Sequence, residues 1–403
     1  MSNFQTKDGG KSNELETEGN EKSSLTRIIT KSRRSKLSPV VPSCSIRKRA
    51  VQRAKGRKYL EGGIPMKTEA KSFKRQTVAL IFTLILFTPL LALAGGVQHY
   101  PNGLEAELMG VVPPPGLYYR QFNIYYTADK LKDNSGHTLS LAKDGAELSR
   151  INVFAVAPAL RWVSKLSILG GNYYMIGVTP LLNVNTRLDA MTPGGPTHLS
   201  ESRTRLYDPI WINGLGWHLF DGKLHVAAEL DTFIPVGMYN GKNLVNVGKN
   251  VWTFIPVVAV TGFSPFWEER LELNFKLMYD FDTRNNDFVI GPSIAAKIGN
   301  PALTGLRTHN DPGQAFHTEF AVDYRIYEKL RVGLAGYFYQ QTTDDKTGFG
   351  TVKNDRTRVF AIGPHVWVPY KKWFFGAHVQ FETLARNGPQ GMVFNVDAAY
   401  KIF

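Results

Sequence analysis

Apolar and polar residues alternate with a period of two along much of the chain after residue 94, which predicts β-strands with two unlike faces. The clearest strand is predicted at 271–282, where Leu273 and Phe275 share one face and Glu272 and Lys276 share the other. Similar or weaker alternation predicts eleven further strands, at 117–126, 150–163, 173–184, 205–219, 223–234, 251–262, 316–326, 330–341, 357–368, 374–382 and 394–402.

The predicted strands run to about ten residues, whereas ordinary strands average about five or six. Tilted strands of about 9–11 residues have the length that crosses a bilayer. In a soluble sandwich the apolar faces would pack inward, but in a membrane barrel they contact lipid and the polar faces line the lumen. Strand length, the export signal described below and the many aromatic residues after residue 94 favour the membrane. We therefore predict an all-β fold, a transmembrane antiparallel β-barrel of about twelve strands over 95–403.

The predicted barrel has to accommodate long loops and prolines inside strands. The turn-rich stretches 192–204 and 283–313 are predicted as outer loops, which tend to be long in membrane barrels. Four prolines lie inside predicted strands and, because proline cannot donate to a ladder, we expect them at rims or bulges. They are Pro158, Pro180, Pro256 and Pro364.

The formal net charge is +14, which by itself would suggest nucleic acid or an anionic membrane as a partner. Most of this charge lies before residue 95, and the predicted barrel is almost neutral. No nucleic-acid partner is therefore predicted. The single cysteine, Cys44, also precedes the barrel, which excludes disulfides, thiolate metal sites and a cysteine nucleophile after residue 94.

Residues 66–94 have the three parts of a secretory signal peptide. Four basic residues in 67–75 precede an apolar run over 78–91, and the sequence Ala-Leu-Ala follows at 92–94. The run is shorter than the hydrocarbon core of a bilayer, which argues against the alternative, an N-terminal membrane anchor. We expect cleavage after Ala94 and export to the Gram-negative outer membrane.

Residues 1–65 have the polar, basic composition of a disordered extension. Signal peptides do not normally follow such an extension. The codons of Glu61-Gly62-Gly63 can spell a ribosome-binding sequence just upstream of Met66. We therefore expect translation to begin at Met66.

Charged and tyrosine side chains on the polar strand faces are the candidate functional residues. Two interpretations stay open: a permeation path with opposed charges, or a salt-bridge ladder that stiffens the wall. Tyr337 and Tyr339 could in addition stack on an aromatic solute. The predicted lumen-facing residues are Glu229, Asp231, Glu272, Lys276, Asp280, Glu319, Asp323, Arg325, Arg331, Tyr337, Tyr339, Arg358, Glu382, Asp397 and Lys401.

No catalytic residues, cofactor or metal are predicted. The nine histidines are scattered, and no pair has the spacing of a metal motif. His198 lies near Ser200 in sequence, which keeps an outer-membrane hydrolase open as an alternative.

The region 95–403 resembles the SphA-like, MetA-pathway phenol-degradation family of outer-membrane transporters. The matching blocks are PPPGLYY at 113–119, DKLKD at 129–133, LGGNY at 169–173, LGWH at 215–218, FIPVG at 233–237, GKNVWTF at 248–254, GYFYQQ at 336–341, RVFAIGP at 358–364 and NGPQG at 387–391. The resemblance implies a porin-like barrel found near genes for aromatic catabolism.

Together these observations predict a channel for passive uptake of small hydrophobic or aromatic solutes, and not an enzyme. The expected partners are outer-membrane lipid, the barrel insertion machinery and the solute. A plugged barrel that acts as a structural protein or adhesin is the main alternative.

Overall fold

The structure is a computed structural model that describes residues 98–192, 195–264 and 269–403. The predicted extension 1–65, the signal peptide 66–94 and its cleavage site lie outside the described residues.

Strands account for most of the described chain, as the alternating pattern predicts. In chain order the elements are β1 (Gly116–Lys132), α1 (Leu141–Asp144), β2 (Ala146–Ile168), β3 (Gly171–Val178), β4 (Leu181–Thr192), β5 (Gly195–Leu206), β6 (Ile210–Leu219), β7 (Leu224–Phe233), β8 (Thr253–Phe263), β9 (Leu271–Asp282), β10 (Asn285–Val289), α2 (Pro292–Ile298), a 3₁₀ turn (Pro301–Leu303), β11 (Arg307–Asp311), β12 (Ala315–Tyr327), β13 (Leu330–Gln341), β14 (Lys346–Thr347), β15 (Gly350–Thr351), β16 (Arg358–Tyr370), β17 (Trp373–Arg386) and β18 (Gly388–Lys401).

Twelve antiparallel strands close into a barrel, which confirms the predicted fold. β1 pairs with β18 on one side and with β2 on the other, so the sheet has no free edge at its seam. Around the wall the order is β1, β2, β3, β6, β7, β8, β9, β12, β13, β16, β17 and β18.

The hairpin of β4 and β5 extends β3 and β6 beyond the rest of the wall. β4 continues along β2 where β3 stops, since Ala159 pairs with Val178 and Val156 pairs with Leu181. β5 pairs with β4 from Leu206 back to Gly195. The stretch 192–204, predicted as a loop, is therefore mostly strand. The prediction was wrong because polar residues on both faces of a hairpin that projects from the wall resemble a loop in sequence.

Short turns join the strands at one end and longer connections join most of them at the other. In outer-membrane barrels the short turns are periplasmic and the long loops extracellular. This rule assigns one end of each strand to the periplasm and the other to the exterior. β1 begins at the periplasmic end, at Gly116. The connection 283–314 is the largest, and β10, α2 and β11 lie within it. The predicted outer loop at 283–313 thus carries short elements of its own.

The prolines do not all lie where we expected. Pro158 and Pro180 flank the point where β2 changes its partner from β3 to β4. Pro256 and Pro364 instead lie within the wall, opposite Leu230 and Leu334, with no bulge at either position. That expectation was wrong for these two, because a proline removes one donor on one side of its strand and the rest of the ladder remains in register.

The outward face of the barrel is apolar and exposed, and the inward face is buried. On β9, Leu273, Phe275 and Leu277 are 37–49% exposed, while Glu272 and Lys276 are at most 3% exposed. In the part of the chain that the structure describes, no helix is both long and apolar enough to cross a membrane.

Replacing Leu277, near the middle of β9, with Arg should lower the free energy of unfolding by about 2–4 kcal/mol, because a guanidinium at the bilayer midplane loses its hydration. Leu271→Arg, on the same face at the periplasmic end of β9, is the matched control and should cost about 0–1 kcal/mol. Urea unfolding in lipid vesicles measures both. Equal losses in the free energy of unfolding at the two positions would show that this face of β9 does not point toward lipid.

Candidate functional site: a lumen divided between a polar strap and an apolar wall

Residues 98–112 enter the barrel before β1 and line part of its interior; we call this segment the strap. His99 hydrogen-bonds Thr253, which opens β8 at its extracellular end. The amide of Gly110 donates to Thr261 Oγ1 at 2.9 Å, near the periplasmic end of the same strand. The strap therefore runs along most of the height of the barrel.

The upper part of the strap is held by buried histidines and a carboxylate. His99 Nε2 lies 3.0 Å from Asp208 Oδ2, and Asp208 also accepts from the amides of Gly237 and Lys249. Asn102 Oδ1 lies 3.0 Å from His317 Nδ1. These contacts tie the strap to β12 and to the junction between β5 and β6.

The middle of the strap meets a carboxylate of β12 and a lysine of β9. Tyr100 Oη donates to Glu319 Oε2 at 3.0 Å, and the amide of Leu104 donates to Glu319 Oε1 at 2.8 Å. Lys276 Nζ donates to Glu105 Oε2 at 2.8 Å. On β17, His378 Nε2 donates to the carbonyl of Gly103 at 2.7 Å.

The lower part of the strap ends in a buried charge network around Glu107. Arg120 of β1 bonds both Glu107 and Asp397 of β18. His365 of β16 bridges Glu107 at 3.1 Å and Asp323 at 2.7 Å. Buried charges require such partners, because an unpaired one loses its hydration without compensation.

The charge of Glu105 is matched by two cations. Lys276 Nζ lies 2.8 Å from Glu105 Oε2, and Arg120 Nη1 lies 3.6 Å from Glu105 Oε1. These two ion pairs hold the middle of the strap against β9 and β1.

Seven of the predicted lumen residues belong to this strap network. Each is buried and bonds the strap directly or through one other side chain. They are Glu272, Lys276, Asp280, Glu319, Asp323, Arg331 and Asp397.

Other predicted residues face inward beside the network. Half-buried Arg325 is the register partner of Arg331. Arg331 Nε lies 3.4 Å from Glu272 Oε2, and Arg331 is buried against the rings of Phe263 and Trp367. Half-buried Glu229 accepts from Tyr174 Oη, and Asp231, two residues further along β7, is buried.

Lys401 is exposed at the periplasmic rim, with its Nζ 5.8 Å from the centre of the Tyr118 ring.

The two predicted tyrosines are buried and already have partners. Tyr337 Oη donates to Glu382 Oε1 at 2.8 Å, and Tyr126 Oη donates to the other oxygen of Glu382 at 3.1 Å. Tyr339 packs beside His317, with ring centres 5.9 Å apart. Of the two, only Tyr337 borders the open cavity described below.

Arg358 was predicted to face the lumen, and the structure contradicts this. It pairs in register with Gln340, one residue beyond the pair of Tyr339 and Val359. Because Tyr339 and Val359 are buried inside the barrel, Arg358 projects from the outer surface. The pairing register between β13 and β16 decides which residues of β16 face inward at this point. The sequence alone does not reveal that register.

The opposite side of the lumen carries apolar side chains in place of charges; we call it the apolar wall. Small and branched residues of β1, β2, β3, β4 and β6 form it. The members that border the cavity are Phe122, Ile124, Ile151, Val153, Ala155, Ala157, Ala159, Ile176, Val178, Leu182, Val184, Ile210 and Ile212.

A cavity of about 760 Å³ lies between the strap and the apolar wall. Lys371 and Lys372 border it at the periplasmic turn, and Thr357 and Gly388 border it at the extracellular ends of the strands. The cavity therefore follows the height of the barrel. Its residues were missed at the sequence level, although β2 gave a signal: residues 151–163 are apolar on both faces, apart from Asn152 and Arg161.

The hydrolase alternative depends on His198, and a metal site would need a cluster of ligand side chains. His198 bonds Asp189 on the exposed β4–β5 hairpin, but Ser149 donates to the same carboxylate and not to the imidazole. The described residues hold no group of three or more histidine, cysteine or acidic side chains arranged to bind a metal.

Residues 128–397 match the family described as "Putative MetA-pathway of phenol degradation". This match spans more than half of the chain. The chain belongs to this family. The resemblance inferred from the sequence blocks is thereby confirmed.

The COG4313 outer membrane channel from Pseudomonas putida F1 has a similar fold, with a TM-score of 0.56 and 13% identity over 75% of this chain and 99% of that chain. The β domain of the Bordetella autotransporter BrkA is more distant, with a TM-score of 0.38 and 13% identity over 71% and 99% of the two chains. A Pseudomonas aeruginosa FadL homologue gives 0.31 and 10% identity over 71% and 90%. The last two scores are too low to support an argument. No curated protein sequence matches the chain.

This family member has the fold of an outer-membrane β-barrel. Its lumen has two unlike halves, one occupied by the strap and one open along the apolar wall.

Gly103 gives a test of the strap. Its φ is +79°, and a Cβ there would overlap the side chains of Gln380 and Tyr337. Gly103→Ala should push the strap away from β13 and β17 and into the open cavity, and should lower single-channel conductance by about twofold or more, because a narrower lumen conducts less. Gly145 is a matched control, with φ of +76° and no atom within 4 Å of an added Cβ.

Gly145→Ala should leave conductance unchanged in the same planar-bilayer recordings, at a stability cost of about 1 kcal/mol for the backbone. Equal conductance for the wild type and Gly103→Ala would show that the strap does not limit the passage.

Proposed function

We propose that the barrel lets small hydrophobic or aromatic solutes diffuse passively across the outer membrane along the apolar wall. The cavity beside that wall is the observation that carries the proposal. A solute that loses water contact there gains about 25 cal/mol for each Å² of apolar surface that it buries.

The division of the lumen supports this choice of solute. Most charged groups of the strap side are already bonded to the strap or to one another, so few are left to replace the hydration of an ion or a sugar. The apolar wall offers no such replacement either, and so it favours solutes that need none. Passive diffusion requires only an open path along the apolar wall.

Family membership points in the same direction. The family description names a phenol-degradation pathway, and phenols are small aromatic molecules. Outer-membrane lipid would surround the barrel, and the barrel insertion machinery would place it there.

Narrowing the apolar wall tests the proposal. Phenyl glucoside carries an aromatic ring yet does not cross lipid readily, and galactosylglycerol is a polar solute of similar mass. In liposome-swelling assays the wild type should pass phenyl glucoside faster. Ala157→Trp should slow it by about fivefold or more, because pore width limits permeation.

Ala228→Trp places the same bulk on the outward face of β7, opposite Val258, and is the control. It should change the rate by less than about twofold, since it leaves the lumen untouched. A heat-shifted gel band confirms that each variant folds. No swelling with either solute would instead support the plugged, structural alternative, and faster passage of galactosylglycerol would contradict an apolar path.

We also propose that the leader is removed after Ala94, because His99 is buried inside the lumen and a retained apolar leader would end only five residues before it. Intact mass measurement of the protein from outer membranes should give the mass of residues 95–403. A mass that includes residues 66–94 would refute this cleavage site.

A further inference from the structure

A second cleft lies on the extracellular rim, outside the lumen. It has a volume of about 410 Å³ at the extracellular ends of β13, β16 and β17. Three arginines, three side-chain amides and one threonine line it, and no carboxylate is among its described lining residues. The arginines are Arg356, Arg358 and Arg386. We call this site the rim cleft.

Two of these arginines face each other directly. Arg358 on β16 is the register partner of Arg386 on β17 and of Gln340 on β13. Like charges directly opposite each other on one sheet face destabilise the pair. Within the described ranges neither Arg358 nor Arg386 forms an ion pair, and Arg358 Nε donates to the side-chain oxygen of Gln340. The opposed guanidinium groups thus lack an anion.

Arg356 completes the cleft from the loop before β16. Its Nε donates to Asp344 Oδ1 at 2.7 Å, which fixes the orientation of the guanidinium plane. Asp344 itself does not border the cleft. The remaining N–H groups of three planar guanidinium forks match the oxygens of a phosphate group, which accepts bidentate bonds from arginine.

The outer surface just below the cleft is apolar. Two residues toward the membrane centre on the same face, Phe338 pairs with Phe360 and Phe360 pairs with Leu384. Leu384 is 37% exposed on the outside of the barrel. A ligand here would have its anionic group among the arginines and its apolar part along this row, which is the arrangement of a membrane amphiphile.

We propose that the rim cleft binds the phosphate of a phosphorylated glycolipid in the outer leaflet, the lipid A type of lipid. The lipid neutralises Arg358 and Arg386, and its acyl chains lie against the row of Phe338, Phe360 and Leu384. The site is separate from the open cavity of the lumen, because none of its described lining residues borders that cavity.

The test uses protein expressed from its full coding sequence, purified from outer membranes and stripped of lipid in detergent. Native mass spectrometry measures binding of bisphosphorylated lipid A, dephosphorylated lipid A and glucose 1-phosphate. The variant Arg358→Gln/Arg386→Gln removes the opposed charges. The control Arg284→Gln/Arg307→Gln removes two loop charges that are already paired with Asp311 and Asp287.

We expect bisphosphorylated lipid A to bind the wild type and the control alike, and the Arg358→Gln/Arg386→Gln variant about tenfold more weakly, the loss typical of a charge-assisted bond. Dephosphorylated lipid A should bind the wild type about tenfold more weakly than bisphosphorylated lipid A does. Equal lipid A binding by the two double variants, or equal binding of the two lipids, would overturn the proposal. Glucose 1-phosphate binding as tightly as lipid A would assign the cleft to soluble phosphate esters and overturn the lipid source.

Discussion

The pairing of the strap with the charged inner wall is the constraint on which the rest of the structure depends. A barrel of twelve strands encloses more space than its own side chains fill. Carboxylates of β9, β12 and β18 point into that space and require partners. The strap supplies partners of both kinds. Its backbone amides donate to Glu272 and Glu319. Its carboxylates Glu105 and Glu107 pair with the wall cations Lys276 and Arg120.

The asymmetry of the lumen follows from this pairing. Strands that meet the strap alternate charged and apolar residues, because their two faces contact a polar chain and lipid. Strands β2 and β3 meet lipid outside and the open passage inside, and much of both faces is apolar. The open cavity therefore lies where the strap does not. In the proposed function, the apolar wall would select the solutes that pass.

The barrel could be predicted from the sequence, because the two-residue period, the length of the strands and the family resemblance all pointed to the same fold. Twelve segments were predicted as strands, and the closed sheet has twelve. The site was harder to predict. The strap has no periodicity, and its role depends on contacts with strands more than a hundred residues away, such as Tyr100 with Glu319.

Two errors in the predicted site have physical causes in pairing. Arg358 was placed in the lumen because its charge suggested the polar face, but the register of β16 with β13 turns it outward. The apolar wall was overlooked because a search for charged faces ignores strands that are apolar on both sides. A sequence shows that a strand has two unlike faces, whereas its pairing with a partner strand decides which face points inward.

The most direct measurement of the divided lumen uses the absence of cysteine after residue 94. Single cysteines at Ala157, on the apolar wall, and Ala321, which packs under Ala106 of the strap, would be exposed to a small neutral thiol reagent in the folded protein. The account predicts rapid labelling of Ala157→Cys and protection of Ala321→Cys until the barrel is unfolded. Equal labelling of both, or protection at residue 157 alone, would contradict it.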